Sequence, residues 1–300
     1  LLVVVATRSS IASEGDELPE FISCVNSTIA AQCSSSTAQQ QQQQPLYLRL
    51  TLWTCEDNCR YNCMHSVTDA RPGPMYQFYG KWPFYRLWGI QEPASVAFSL
   101  GNLYMHYHYL RMLAKEIPTK YYLRPFILGY AAVNINTWIQ STIFHTRDLP
   151  FTEKLDYFSA AMSILYSVYY ATLRIFQIDD RRKQLLLGGV LLGLFATHMF
   201  FMSFVAFNYV YNMIICGIFA VLQGAMWVMW YFVVGYLRQN KRVLSYGHWV
   251  LYATGANALT VMLEVFDFPP IGRVFDAHSL WHLSTIFVAP LWYHFVILDS

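Results

Sequence analysis

Charge is scarce in this 300-residue chain. Only 13% of the residues are Asp, Glu, Lys or Arg, against about 25% in soluble domains. That deficit, beside 55% hydrophobic and 17% aromatic residues, excludes an ordinary soluble domain and implies an integral membrane protein. A surplus of either sign is missing too: a net charge of +2 is too small for a nucleic-acid surface, and no nucleic-acid partner is expected. The apolar runs lack the alternation of a membrane barrel, so helices are the remaining way to satisfy the backbone in lipid. Cysteine is nearly absent beyond residue 63, with Cys216 alone inside an apolar run.

The other five cysteines, Cys24, Cys33, Cys55, Cys59 and Cys63, precede the first apolar run. Ahead of them, "LLVVVATRSSIASEGDE" reads as the tail of a secretory signal, with cleavage after Ala12. Cysteines clustered behind such a signal read as disulfides in an oxidising lumen, the weaker reading of "CEDNC" and "CRYNC" being a metal cluster. Five is odd, and the pairing stays open. Asn26-Ser27-Thr28 is a glycosylation sequon, usable if this segment is luminal. The expected organisation is a signal remnant (1–12), a luminal cysteine-containing segment (13–93) with a disordered Gln-rich loop at 34–44, and a membrane domain (94–300).

Seven apolar segments follow, near 94–113, 122–144, 156–176, 185–204, 208–236, 247–266 and 277–297. Each approaches or exceeds the roughly 20 residues a spanning helix needs. The expected fold is therefore all-α, with seven transmembrane helices behind the luminal segment. Arg111, Lys115, Lys120 and Arg124, then Arg181, Arg182 and Lys183, then Arg238, Lys241 and Arg242 fall in alternate connections. The positive-inside rule places those connections in the cytosol and the cysteines in the lumen.

Polar residues then gather at the luminal ends. Ser141 and His145 are four apart near the end of the second span, Asp156 opens the third, and Asp276, His278 and His282 open the seventh. At 1.5 Å per residue, all lie within about 10 Å of one membrane edge. Ionisable groups in spans are costly and mark function. Three neutral imidazoles, His145, His278 and His282, suit one Zn2+ ion with water in a fourth position. Asp156 is the candidate to move the proton, and Ser141 to hold the water or the oxyanion. For Asp276 two readings stand: the N-cap of the seventh helix, or a group that orients a ligand histidine.

At these residues the chain resembles the CREST superfamily of seven-span proteins, through Ser141-x3-His145, Asp156 eleven residues on, and His278-x3-His282. The stretches "FYGKWPFYR", "QEPAS", "FHTRD", "TEKLDYF", "LEVFDFPP" and "DAHSLWH" narrow the resemblance to the GPI-specific phospholipase A2 family of post-GPI-attachment lipases. It implies a zinc-dependent luminal hydrolase of the sn-2 acyl ester in the phosphatidylinositol of GPI-anchored proteins, its substrates within membrane lipid. The products are lyso-GPI protein and fatty acid. The implied location is the endoplasmic reticulum membrane, with the Golgi as the alternative. One departure stands out: the family spaces cysteines as Cys24, position 28 and Cys33, and position 28 here is Thr28. Two competing functions are a ceramidase-like amidase on the same site, and a non-catalytic receptor or chaperone with a structural zinc.

Overall fold

A computed structural model describes residues 13–33 and 44–300. The expected signal remnant and all of the 34–44 tract except Gln44 lie outside the described residues. Among the described residues the secondary structure is helical, with isolated backbone bridges at Phe78/Lys81, Leu87/Ile90 and Ile271/Phe275.

Helices α1 (Pro19–Gln32) and α3 (Cys55–Ala70) flank the short α2 (Leu46–Leu50) and carry the clustered cysteines. Thr54 and Asp57 cap α3 reciprocally, satisfying amide groups that the first turn would leave bare. Disulfides join Cys24 to Cys63 and Cys33 to Cys55, so early α1 pairs with late α3. Cys59 is left as a buried free thiol, with its Sγ 3.7 Å from that of Cys33. Because Cys33 is already bonded to Cys55, this trio does not offer three thiolates to a metal. The Thr28 hydroxyl lies beside the first of these disulfides, 3.5 Å from Cys63 Sγ. The sequon residue Asn26 is exposed on α1.

Each of the seven apolar segments falls on a helix of 18–26 residues: α4 (Pro93–Glu116), α5 (Arg124–Thr146), α6 (Pro150–Ile175), α7 (Arg181–Phe200), α8 (Tyr209–Trp230), α10 (His248–Val265) and α11 (Ala277–Asp299). Between α8 and α10 lies the short α9 (Lys241–Tyr246). Among the described residues, three stretches are both long and apolar enough to cross a membrane: Arg181–Val205, Tyr209–Leu237 and Ala277–Asp299. For α4 and α5 the physical reason for a lower apolarity is visible in their cores. Helix α4 buries Ser99, Asn102 and His106, and α5 buries Asn134, Ser141 and His145. Their polar residues turn inward instead of dispersing over a surface.

Helix α4 packs between α5 and α11, while α10 lies against α11 and α6 against α5, α7 and α8. Gly101 permits the close approach of α4 to α11: a Cβ there would sit 2.5 Å from Ile286 Cδ1, the small-residue contact common between membrane helices. The main apolar core, with Leu113, Leu123, Tyr170, Trp227 and Phe295 fully buried, fills the end of the bundle away from residues 141–145.

Residues 77–92 run as a strap over the opposite end. Gln77 Nε2 and Trp82 Nε1 donate to the two oxygens of Asp267, at 2.8 and 2.9 Å. His65 ties α3 to the same region. Its Nε2 donates to the Phe84 carbonyl at 3.1 Å, and its Nδ1 accepts from Arg273 Nη1 at 3.1 Å. The Arg273 contact requires an unprotonated Nδ1 and therefore the neutral ring, with its proton on Nε2 toward Phe84. Burial lowers the pKa of His65 below the usual 6.5; the Phe84 carbonyl and Asp69 pull it up, Arg273 and Arg86 push it down, and the net shift is downward. The unfolded chain, with its histidine near pH 6.5, therefore takes the proton first. The stability from this contact is complete above that pH and is lost as the pH falls below it. Hydrogen exchange, corrected for intrinsic rates, is expected to show residues 62–86 less protected at pH 5.5 than at pH 7.5, and a His65→Gln protein to lack that difference. Equal protection of the wild type at both pH values counts against this reading.

Candidate metal centre

His145 sits in the last turn of α5, and His278 and His282 in the first two turns of α11. Because both helices pack on α4, the three rings meet. One nitrogen from each lies within 4.8 Å of the other two, and His145 and His282 are almost fully buried.

The remaining ring nitrogens have separate partners. His145 Nδ1 donates to Glu92 Oε2 at 2.7 Å, and His278 Nδ1 donates to Glu264 Oε2 at 2.6 Å. His282 Nδ1 faces the Ser99 hydroxyl at 3.0 Å and the Ser95 carbonyl at 3.5 Å. A carboxylate and a carbonyl only accept, so the network assigns the ring proton to Nδ1 in all three residues. Every Nε2 is left as a lone pair. His145 Nε2 and His278 Nε2 then point at each other across 3.3 Å, which is repulsive without a shared cation. Two nitrogens about 2.0–2.1 Å from one tetrahedral zinc stand about 3.3–3.4 Å apart. The donor set fits a divalent metal such as zinc.

The carboxylates are themselves anchored. Glu92 precedes Pro93, which starts α4 in the position where a missing N–H costs nothing. Its side chain does not cap that helix and is free for other partners. Lys81 Nζ donates to Glu92 Oε1 at 2.5 Å and lies 3.0 Å from Asp148 Oδ2, over the face of Phe144. Burial by itself would raise the Glu92 carboxyl, but the Lys81 ammonium and His145 outweigh it and hold the group well below the usual carboxylate range. Glu264, near the end of α10, accepts from the Tyr209 hydroxyl at 3.2 Å on its other oxygen.

Ser141 is buried on α5, 2.9 Å from Ser99 Oγ. Asn102 Nδ2 donates to the His282 carbonyl at 2.7 Å, fixing the turn that carries this ring. Asp156 lies in the second turn of α6, half-buried and within Coulomb reach of His145 and His278. Its carboxylate takes no side-chain hydrogen bond among the described residues. Asp276 takes the first of its two readings: it caps α11, accepting from the Ser279 amide at 2.9 Å. The carboxylate that accepts from His278 Nδ1 is that of Glu264. Lys81, Glu92 and Glu264 lie in the family-like stretches but carry no assigned role in the sequence, and Ser99 is not singled out there at all. For Glu264 a signal exists, since a carboxylate inside the apolar run "VMLEVF" is costly unless paired.

Comparison with known proteins agrees with the resemblance seen in the motifs. The chain is 37% identical over 297 residues to the GPI-specific phospholipase A2-like PGAP3 of Danio rerio, covering 96% of this chain and 91% of the relative. It is 36% identical to the Protein PER1 homolog of Schizosaccharomyces pombe, over 97% of this chain and 88% of that one. It is 37% identical to the Post-GPI attachment to proteins factor 3 of Drosophila melanogaster, over 99% and 92%. The Per1-like family pattern matches residues 45–300, a stretch that holds the histidines, both anchored carboxylates and the strap, and the chain belongs to the Per1-like family.

Proposed function

We propose that this protein is a seven-span membrane hydrolase of the endoplasmic reticulum that removes the sn-2 acyl chain from the phosphatidylinositol of GPI-anchored proteins. The convergence of three imidazoles, with the Nε2 atoms of His145 and His278 3.3 Å apart, near Asp156 and a buried Ser141 carries the reading. The relatives named for GPI processing supply the substrate class. The disulfides support a luminal site. They persist in an oxidising lumen, and their segment reaches the histidines directly through Lys81 and Glu92. A phospholipid's acyl esters lie just below its headgroups, at the depth of helix ends, so the glycan stays in water while the chains remain in lipid.

Zinc held by His145, His278 and His282 would polarise the ester carbonyl and make a water acidic enough to ionise near neutral pH. Asp156 takes a proton from the attacking water and returns one to the departing sn-2 oxygen, so the products are the fatty acid and the lyso-lipid. The hydroxyl polarity of the serines follows from His282. Its Nδ1–H donates to Ser99 Oγ, and Ser99 O–H donates to Ser141 Oγ. The Ser141 hydroxyl hydrogen is then left for the oxyanion.

The test is fatty-acid release from a GPI-linked protein by purified enzyme in proteoliposomes. Asp156→Asn is expected to lower the rate by about 10²–10⁴-fold and Ser141→Ala by about 10²–10³-fold, both with bound metal retained. Undiminished release by both variants overturns the proton and oxyanion roles. Sphingosine released from ceramide in the same vesicles, with no fatty acid from GPI-linked protein, replaces the ester reading by the amidase.

A further inference from the structure

The two carboxylates share a design that the hydrolytic reading does not need. Each uses one oxygen to accept from an imidazole Nδ1, and the other to accept from an anchoring donor. For Glu92 these are His145 and Lys81; for Glu264 they are His278 and Tyr209. With both oxygens engaged, neither carboxylate can rotate away from its ring. The anchors come from elsewhere in the chain. Lys81 belongs to the strap and also reaches Asp148, in the loop after His145. The same strap holds Asp267, three residues beyond Glu264, through Gln77 and Trp82. Thus one luminal segment grips the supports of two histidines on two different helices.

We infer that Glu92 and Glu264 are positioning residues that fix His145 and His278 in the tautomer and orientation required for metal binding, and that Lys81 locks Glu92 in place from the strap. This rests on the zinc reading of the histidines but not on the identity of the lipid substrate. Without its carboxylate, each ring can turn about its side-chain bonds or place its proton on Nε2, and either change removes a metal donor. Hydrogen-bonding partners of metal-bound histidines typically contribute 10–100-fold to metal affinity. The luminal segment is on this view part of the metal site, and not a detached binding module.

The experiment is zinc competition against a chromophoric chelator, using the purified full chain in detergent. Wild type, Glu92→Gln, Glu264→Gln and Lys81→Met are compared. Glutamine keeps the size of the side chain and an acceptor oxygen, so folding is preserved; circular dichroism and the melting temperature of the metal-free protein check this. Expected are a 10–100-fold weaker zinc Kd for each glutamine variant, with the metal-free melting temperature close to wild type in both, and for Lys81→Met a smaller loss of affinity than in Glu92→Gln. The d–d bands of the Co2+-substituted protein are expected to shift in both glutamine variants. Zinc affinities within twofold of wild type, with unchanged Co2+ spectra, overturn the inference, as does a wild type with no zinc affinity. If a variant lowers affinity only in step with a lower metal-free melting temperature, the residue is structural and the inference fails for it. A wild type that binds zinc tightly but releases no fatty acid sinks the lipase reading and leaves the positioning result intact.

Discussion

His282→Ala is expected to abolish both bound zinc and hydrolysis. Its imidazole is held without a carboxylate. Ser99 faces Nδ1, Asn102 holds the backbone carbonyl, and the ring packs against Trp138 at 5.2 Å between centroids. Alanine leaves two imidazoles and a cavity, and a pair of nitrogens does not make a closed zinc site. The metal's contribution to an acyl-transfer barrier is several kcal/mol. At about 1.4 kcal/mol per factor of ten, the expected loss is about 10³-fold or more in fatty-acid release. Metal analysis should fall from about one zinc per chain toward none. His106→Phe is the matched control. His106 is also buried, in α4, but its Nδ1 pairs with the Tyr293 hydroxyl at 2.7 Å and it is not in the cluster. That variant should keep its zinc and its rate. Full metal occupancy in His282→Ala removes the basis of the site.

The histidines were legible in the sequence because helical spacing is local. A His-x3-His pair shares one helix face by geometry alone, and depth along a span can be counted from its end. The helix positions were legible for a similar reason, since each apolar run ends near a charged or proline-bearing turn. What the sequence does not carry is which helices touch. Glu92 lies 53 residues before His145, and no periodicity connects them. Ser99 and Ser141 become neighbours only because α4 packs on α5. Cysteine pairing is likewise tertiary: the cluster was evident, but the choice of Cys24–Cys63 and Cys33–Cys55 depends on how α1 lies against α3. Asp276 illustrates the reverse case. Its local role as a cap was readable from its place before an apolar run, and the local role is the one it plays.

The largest stability effect is expected at the opposite end of the bundle. Asp299, with a fully buried side chain, accepts two hydrogen bonds from Arg174 at 2.6 Å each and one from the Tyr246 hydroxyl at 2.7 Å. This knot joins α6, α9 and α11, and Arg174 also lies 5.4 Å from the Trp230 ring centre. Asp299→Ala leaves the guanidinium and the phenol without their acceptor. Stranding one partner of a buried ion pair costs about 3–5 kcal/mol. At about 2–4 °C per kcal/mol for a chain of this size, the melting temperature in detergent should fall by about 6–20 °C. Replacing both charges, as in Arg174→Met with Asp299→Leu, removes the unpaired ion and should recover most of that loss. Asp299 lies 17 residues from His282 along α11, about 25 Å at 1.5 Å per residue. Zinc content and rate per folded molecule should therefore stay at wild-type values in Asp299→Ala. A double variant no more stable than the single one would show that the penalty comes from lost packing and not from a stranded charge.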